Sequence, residues 1–140
     1  MRQLILVAIL AAAFSTMQVY TQEKTETKEA GSDAHATKMV EVSKFHELLH
    51  PLVHDAYPDS NFSAIRKALP DLIAAAASIK NAKLPKELRS KKKEFRKISK
   101  SLLKQLETMN KRKAKLSDKE LGDQFMEMHD TFEKMMELIE

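Results

Sequence analysis

Three of the chain's five histidines, His46, His50 and His54, fall at four-residue steps in the stretch "FHELLHPLVHDAYP". A fourth, His129, stands in "MEMHDTFEKM", three residues after Met126 and four before Glu133. Imidazole, carboxylate and thioether are donor groups for transition ions, and four-residue steps keep side chains on roughly one face of a helix. Without thiolates, such a set suits Zn(II) or copper, and Met126 would add a soft ligand for Cu(I). The competing reading is a group of ordinary solvated histidines. Which one holds depends on the elements that carry them.

Four segments repeat apolar residues at steps of three and four, the period of a helix with one buried face. The first carries Val42, Phe45, Leu49, Leu52 and Ala56, and ends at Pro58 and "DSN". The second runs from about Ser60 to Ala82 with Phe62, Ile65, Leu69, Leu72, Ala76 and Ile79; "KLP" stops it. The third runs from Lys86 to about Asn110 with Leu88, Phe95, Ile98, Leu102, Leu106 and Met109. "KRKAK" makes a turn, and "SDKE" from Ser117 to Glu120 has the S-x-x-E form of a capping box. The fourth helix follows with Leu121, Phe125, Met128, Phe132, Met135 and Ile139. Nearly glycine-free and without alternating runs, the sequence predicts an all-α antiparallel up-down-up-down four-helix bundle over residues 39–140.

These stripes grade the histidines. Taken as heptad a and d positions, they put His46 and His129 at e, His50 and Glu133 at b, and His54 at f, in solvent. Counted from Lys38 at 1.5 Å per residue, His46 and His50 stand about 12 and 18 Å up the first helix. Counted from Ile139, His129 and Glu133 stand about 15 and 9 Å up the fourth. Two donors from each helix are thus expected at one level of one groove. Pro51 and Pro70 each remove a helical hydrogen bond, from the carbonyls of Glu47 and Arg66. Either these helices simply curve around the core, or Pro51 opens a bulge beside His50.

The chain begins with "MRQLILVAILAAAFSTMQVYTQ", in which Arg2 precedes an apolar run from Leu4 to Phe14 and then small and polar residues. That run is too short to span a bilayer and has the form of a secretory signal peptide over residues 1–22. Residues 23–38, "EKTETKEAGSDAHATK", hold almost no large apolar side chain and are expected to be a disordered linker, with His35 solvated. The mature protein is therefore expected to be periplasmic or secreted. With no cysteine, a lipoprotein anchor, disulfides and thiolate ligands are excluded. Removing the leader leaves 23 of the 24 basic residues against 20 acidic ones.

The basic excess gathers in "RSKKKEFRK" and "NKRKAK". It reads as a solvated face, or as a surface attracted to an anionic envelope component or an acidic protein. Nucleic acid is not expected, because the aromatic residues belong to the core stripes. No nucleophile–base pair and no Gly-rich phosphate loop is present, so the expectation is a non-enzymatic protein, monomer or homodimer.

"MHDTF" resembles the end of the haem-attachment motif of the cytochromes c prime, in which C-x-x-C-H precedes Asp, any residue and an aromatic. His129 matches the haem-ligating histidine, Asp130 and Phe132 the residues after it, while Phe125 and Met128 occupy the cysteine positions. "NFSAIRKALPDLIAAA", "LPKEL" and "KKKEFRKISKSLLKQL" resemble the middle of the related soluble b-type four-helix cytochrome. In that register its axial methionine falls on His46 and its axial histidine on Glu133. The resemblance spans Met39 to Glu140 and implies the same bundle. Lacking the cysteines, the chain would be a haem-less member that binds Zn or Cu through His46, His50 and His129, with Glu133 or Met126 as fourth ligand. Non-covalent haem b held by His129 and His46, in an electron-transfer or gas-binding protein, is the alternative; a metal-free interaction module is another.

Overall fold

A computed structural model describes residues 39–140; the expected leader, linker and His35 lie outside the described residues. Within them are four α-helices, α1 (Val40–Pro51), α2 (Phe62–Asn81), α3 (Lys92–Arg112) and α4 (Asp118–Ile139), and no strand. Two short elements interrupt the pattern: a π-turn at Leu52–Ala56 and a 3₁₀ turn at Lys86–Leu88. The all-helical architecture agrees with the sequence periodicity. No helix among the described residues is long and apolar enough to cross a membrane.

The stripes form the core. Val42, Phe45 and Leu49 of α1, Ile65, Leu69, Leu72, Ala76 and Ile79 of α2, and Leu121, Phe125, Met128, Phe132, Met135 and Ile139 of α4 are all buried. Each such side chain removed from water contributes roughly 1.5–3 kcal/mol, and these terms hold the helices together against chain entropy. In α3 the buried set is Phe95, Ser99, Leu102, Leu103, Leu106 and Met109. Ile98 is only half-buried, and Ser99 takes the inner position with its hydroxyl donating to the Arg96 carbonyl (3.2 Å). Phe62 is likewise half-buried, because it stands in the first turn of α2 beside Tyr57 (ring centres 6.2 Å apart).

Caps fix where the helices start. The Ser117 hydroxyl accepts from the Glu120 amide (3.3 Å) while Glu120 accepts from the Ser117 amide (2.8 Å), completing the capping box. Asn61 caps α2 by accepting from Ala64 N–H at 3.2 Å. Just before it, Ser60 adopts a left-handed φ of 54°. The amide of Asn61 reaches back to the Ala56 carbonyl (2.7 Å) and that of Ser60 to the Tyr57 carbonyl (3.0 Å). This crossed pair of bonds closes a helical end around one left-handed residue. A single short turn thus ends one helical segment and caps the next.

Basic side chains tie the ends to one another. Arg66, in the first turns of α2, donates to the carbonyls of Lys113 (3.0 Å) and Leu116 (2.8 Å) and pairs with Asp118 (2.6 Å). Arg96, early in α3, donates to the carbonyls of Lys80 and Ala82 at the end of α2. Lys91, just before α3, donates to the Leu138 carbonyl at the end of α4 (2.6 Å). Carbonyls left open at helix ends are satisfied by charged donors in this way.

The two prolines behave differently. α2 passes through Pro70 without interruption. At Pro51 the missing N–H cannot bond the Glu47 carbonyl, and the ladder widens one residue later. The Tyr57 amide then bonds the Leu52 carbonyl, five residues back, at 2.9 Å. Leu52 and Ala56 stay buried, so the widened turn preserves the apolar face.

Candidate functional site

The burial of Phe45 and Leu49 dictates where the next residues point. One residue beyond each, a rotation of about 100° carries His46 and His50 onto the exposed flank of α1. On α4, His129 and Glu133 follow the buried Met128 and Phe132 in the same manner, with side chains 22 % and 57 % exposed. Phe132 joins the two flanks. Its ring lies 4.8 Å from that of Phe45 and 5.9 Å from the His46 imidazole, which stacks on it at 27°. His46 is therefore seated on an α4 side chain although it belongs to α1.

Around His46 the other candidates gather. His50 lies edge-on to it, ring centres 5.8 Å apart. On α4, His129 Nε2 and Glu133 Oε1 are 3.4 Å apart. The pKa of His46 is lowered from 6.5, first by its burial and next by His50; Glu133 opposes this, and His54 and His129 add smaller repulsions. Phe132, on which His46 stacks, stands three residues after His129 and one before Glu133. Met126 is half-buried and packs against the core. The side chains nevertheless stand apart as ligands: among the described residues no three His, Asp or Glu groups converge on a point that could hold an ion.

His54 faces solvent but has a close neighbour. It is exposed, as its heptad position requires, yet its ring centre is only 4.3 Å from that of His50, tilted by 36°. An even α-helical count already puts the two on roughly one face but about 40° out of line, because it treats the chain as turning uniformly through Leu52–Ala56. The signal that could have found it is Pro51, three residues before His54.

The displaced titration of His46 has a consequence for stability. Its folded-state pKa lies below 6.5, so below that pH the unfolded chain takes up a proton that the folded state resists. Stability is full above 6.5 and falls as the pH drops through 6.5 toward the folded-state pKa. Urea midpoints should decline from about pH 7.5 to about pH 5, and a His46→Gln protein should decline less steeply. Parallel curves for the two proteins would remove His46 as the source.

No protein-family model matches the chain, and neither a curated protein nor a solved structure is significantly similar to it.

Proposed function

We propose that residues 39–140 form an up-down-up-down antiparallel bundle, similar to the haem-less cytochromes outlined above, that binds a transition ion between α1 and α4. The topology is supported by the links between helix ends: Arg66 to the α3–α4 turn, Arg96 to the end of α2, and Lys91 to the end of α4. The ligands are His46, His50 and His129, with Glu133 or Met126 as the fourth, and the ion is Zn(II) or copper. The protein is exported, and it buffers, delivers or senses the ion rather than catalysing a reaction.

The observation that carries this reading is the seat of His46 on Phe132, which brings an α1 imidazole to the level of His129 and Glu133. Partial desolvation, with repulsion from His50, also favours the neutral imidazole, the form with a lone pair to donate. Because His50 and Glu133 are exposed, rotation of their side chains costs little packing, and that rotation is what assembly of the site requires. Two imidazoles sharing an ion at 2.0–2.1 Å from each nitrogen hold their ring centres roughly 4.5–5.5 Å apart. The His46–His50 separation of 5.8 Å is close to that range.

Haem b fits these residues poorly. A porphyrin between His46 and His129 would need the volume that Phe132 fills against Phe45, and Phe125 and Met128 are fully buried beside it. A second reading, attraction to an anionic envelope component or an acidic protein, rests on Lys92, Lys93, Lys97, Lys100 and Lys104, all exposed on α3.

Calorimetric titration of the mature protein with Zn(II) and Cu(II) tests the metal reading. Saturable binding well below millimolar is expected. The reading fails if no site is tighter than about 1 mM, the ~4 kcal/mol level.

A further inference from the structure

We propose that His50 and His54 form a second, outward-facing chelating pair for a divalent transition ion, created by the π-turn. The inference extends the inter-helix reading above by giving His50 a partner on its own helix and the protein a second ion.

The geometry follows from how the backbone turns. In an unbroken α-helix, four residues advance the chain by about 400°, leaving i and i+4 side chains offset by about 40°. His46 and His50 follow that rule, edge-on at 5.8 Å. Between His50 and His54, half of the steps pass through Leu52–Ala56. A π-turn takes roughly 4.4 residues, so these four steps add up to about 360°. His54 therefore stands directly over His50 rather than round the corner from it, and the rings close to 4.3 Å. This distance falls just short of the roughly 4.5–5.5 Å expected of two imidazoles on one ion, so the rings must part slightly to admit one. A small side-chain rotation converts the contact into a chelate.

Both rings are exposed, so water can complete the coordination sphere. Two imidazoles with open positions suit Cu(II), Ni(II) or Zn(II), with Cu(II) held most tightly. Because Cα positions 46 and 54 are about 12 Å apart along the axis, one ion cannot draw equally on His46 and His54. His50 must side with one or the other. When it serves the outer pair, His46, His129 and Glu133 remain for an inner ion, and the protein takes two.

The test uses the mature chain in a His35→Ala background, so that His35 adds no ligand. Zn(II) calorimetry counts ions, and broadening of histidine ring signals by substoichiometric Cu(II) identifies the imidazoles that bind. Two ions are expected, with His54 among the broadened signals. His54→Ala should then remove one ion and leave the affinity for the other within about threefold. A single ion that broadens His46, His50 and His129 but spares His54 overturns the outer pair and leaves the inter-helix site standing. A single ion that is lost in His54→Ala but kept in His129→Ala upholds the outer pair and defeats the inter-helix reading. No bound ion defeats both.

Discussion

Replacing His129 with alanine is expected to weaken binding at the inter-helix site by about 100-fold or more, at least ~3 kcal/mol. Even residues that only orient a ligand typically cost 10–100-fold when removed, so loss of a direct imidazole ligand should cost no less. His129 is the one imidazole among the candidates that α4 supplies, and it is half-buried where His46, His50 and His54 are exposed. Without it, an ion at His46 would retain only α1 donors and Glu133 or Met126. The fold should tolerate the change. His129 is a flank residue whose i,i+4 contact with Glu133 contributes only about 0.2–0.5 kcal/mol. Circular dichroism and urea unfolding should thus show a nearly unaltered bundle whose tighter Zn(II) isotherm has disappeared. If affinity is unchanged, α4 takes no part in binding and the site belongs to α1 alone.

Phe132→Ala is the substitution expected to damage the fold most. The ring is 1 % exposed, packs against Phe45 and carries His46 on its other side. Removing a buried phenylalanine side chain costs about 3–5 kcal/mol, from lost burial plus the cavity left behind. Against a total stability of roughly 5–15 kcal/mol this is a large fraction. The urea midpoint should fall accordingly, with the slope of the transition unchanged. A loss under about 1 kcal/mol would mean that α1 and α4 do not meet through this ring. Phe132→Leu, which keeps most of the volume, should fold well enough to test the seat by itself. In that protein the bundle should survive while the downward displacement of the His46 pKa diminishes.

Much of this organisation is legible in the residues. The α4 stripe from Leu121 to Ile139 is buried at every position the three-and-four spacing names, and the Ser117–Glu120 box forms as written. Counting rises along straight helices puts His46 near the level of His129 and Glu133, and His46 stacks on Phe132, which lies between them in sequence. The count fails where the backbone stops being uniform. Lys86–Leu88 continues the apolar rhythm through Leu88 but is a 3₁₀ turn separated from α3, since burial of one leucine does not require an α-helix beneath it. Ser99 rather than Ile98 takes the inner position because the buried face of α3 steps from Phe95 by four to Ser99 and then to Leu102 and Leu103, which leaves Ile98 at its edge. His54 is the most consequential case. A phase error of about 40°, too small to expose a leucine, is enough to bring one imidazole onto another.

The widened turn after Pro51 also bears on how the chain length of this protein can vary. A π-turn is an α-turn holding one residue too many, the shape a helix takes when a single codon is added and both flanking faces must stay in place. Here the surplus is taken up between two anchored stretches, the Val42–Leu49 stripe and the Ser60–Asn61 reversal that caps α2. Neither stretch has to rotate to accommodate it. Leu52–Ala56 is accordingly the stretch of the α1 segment where the chain can lose a residue without turning the core outward.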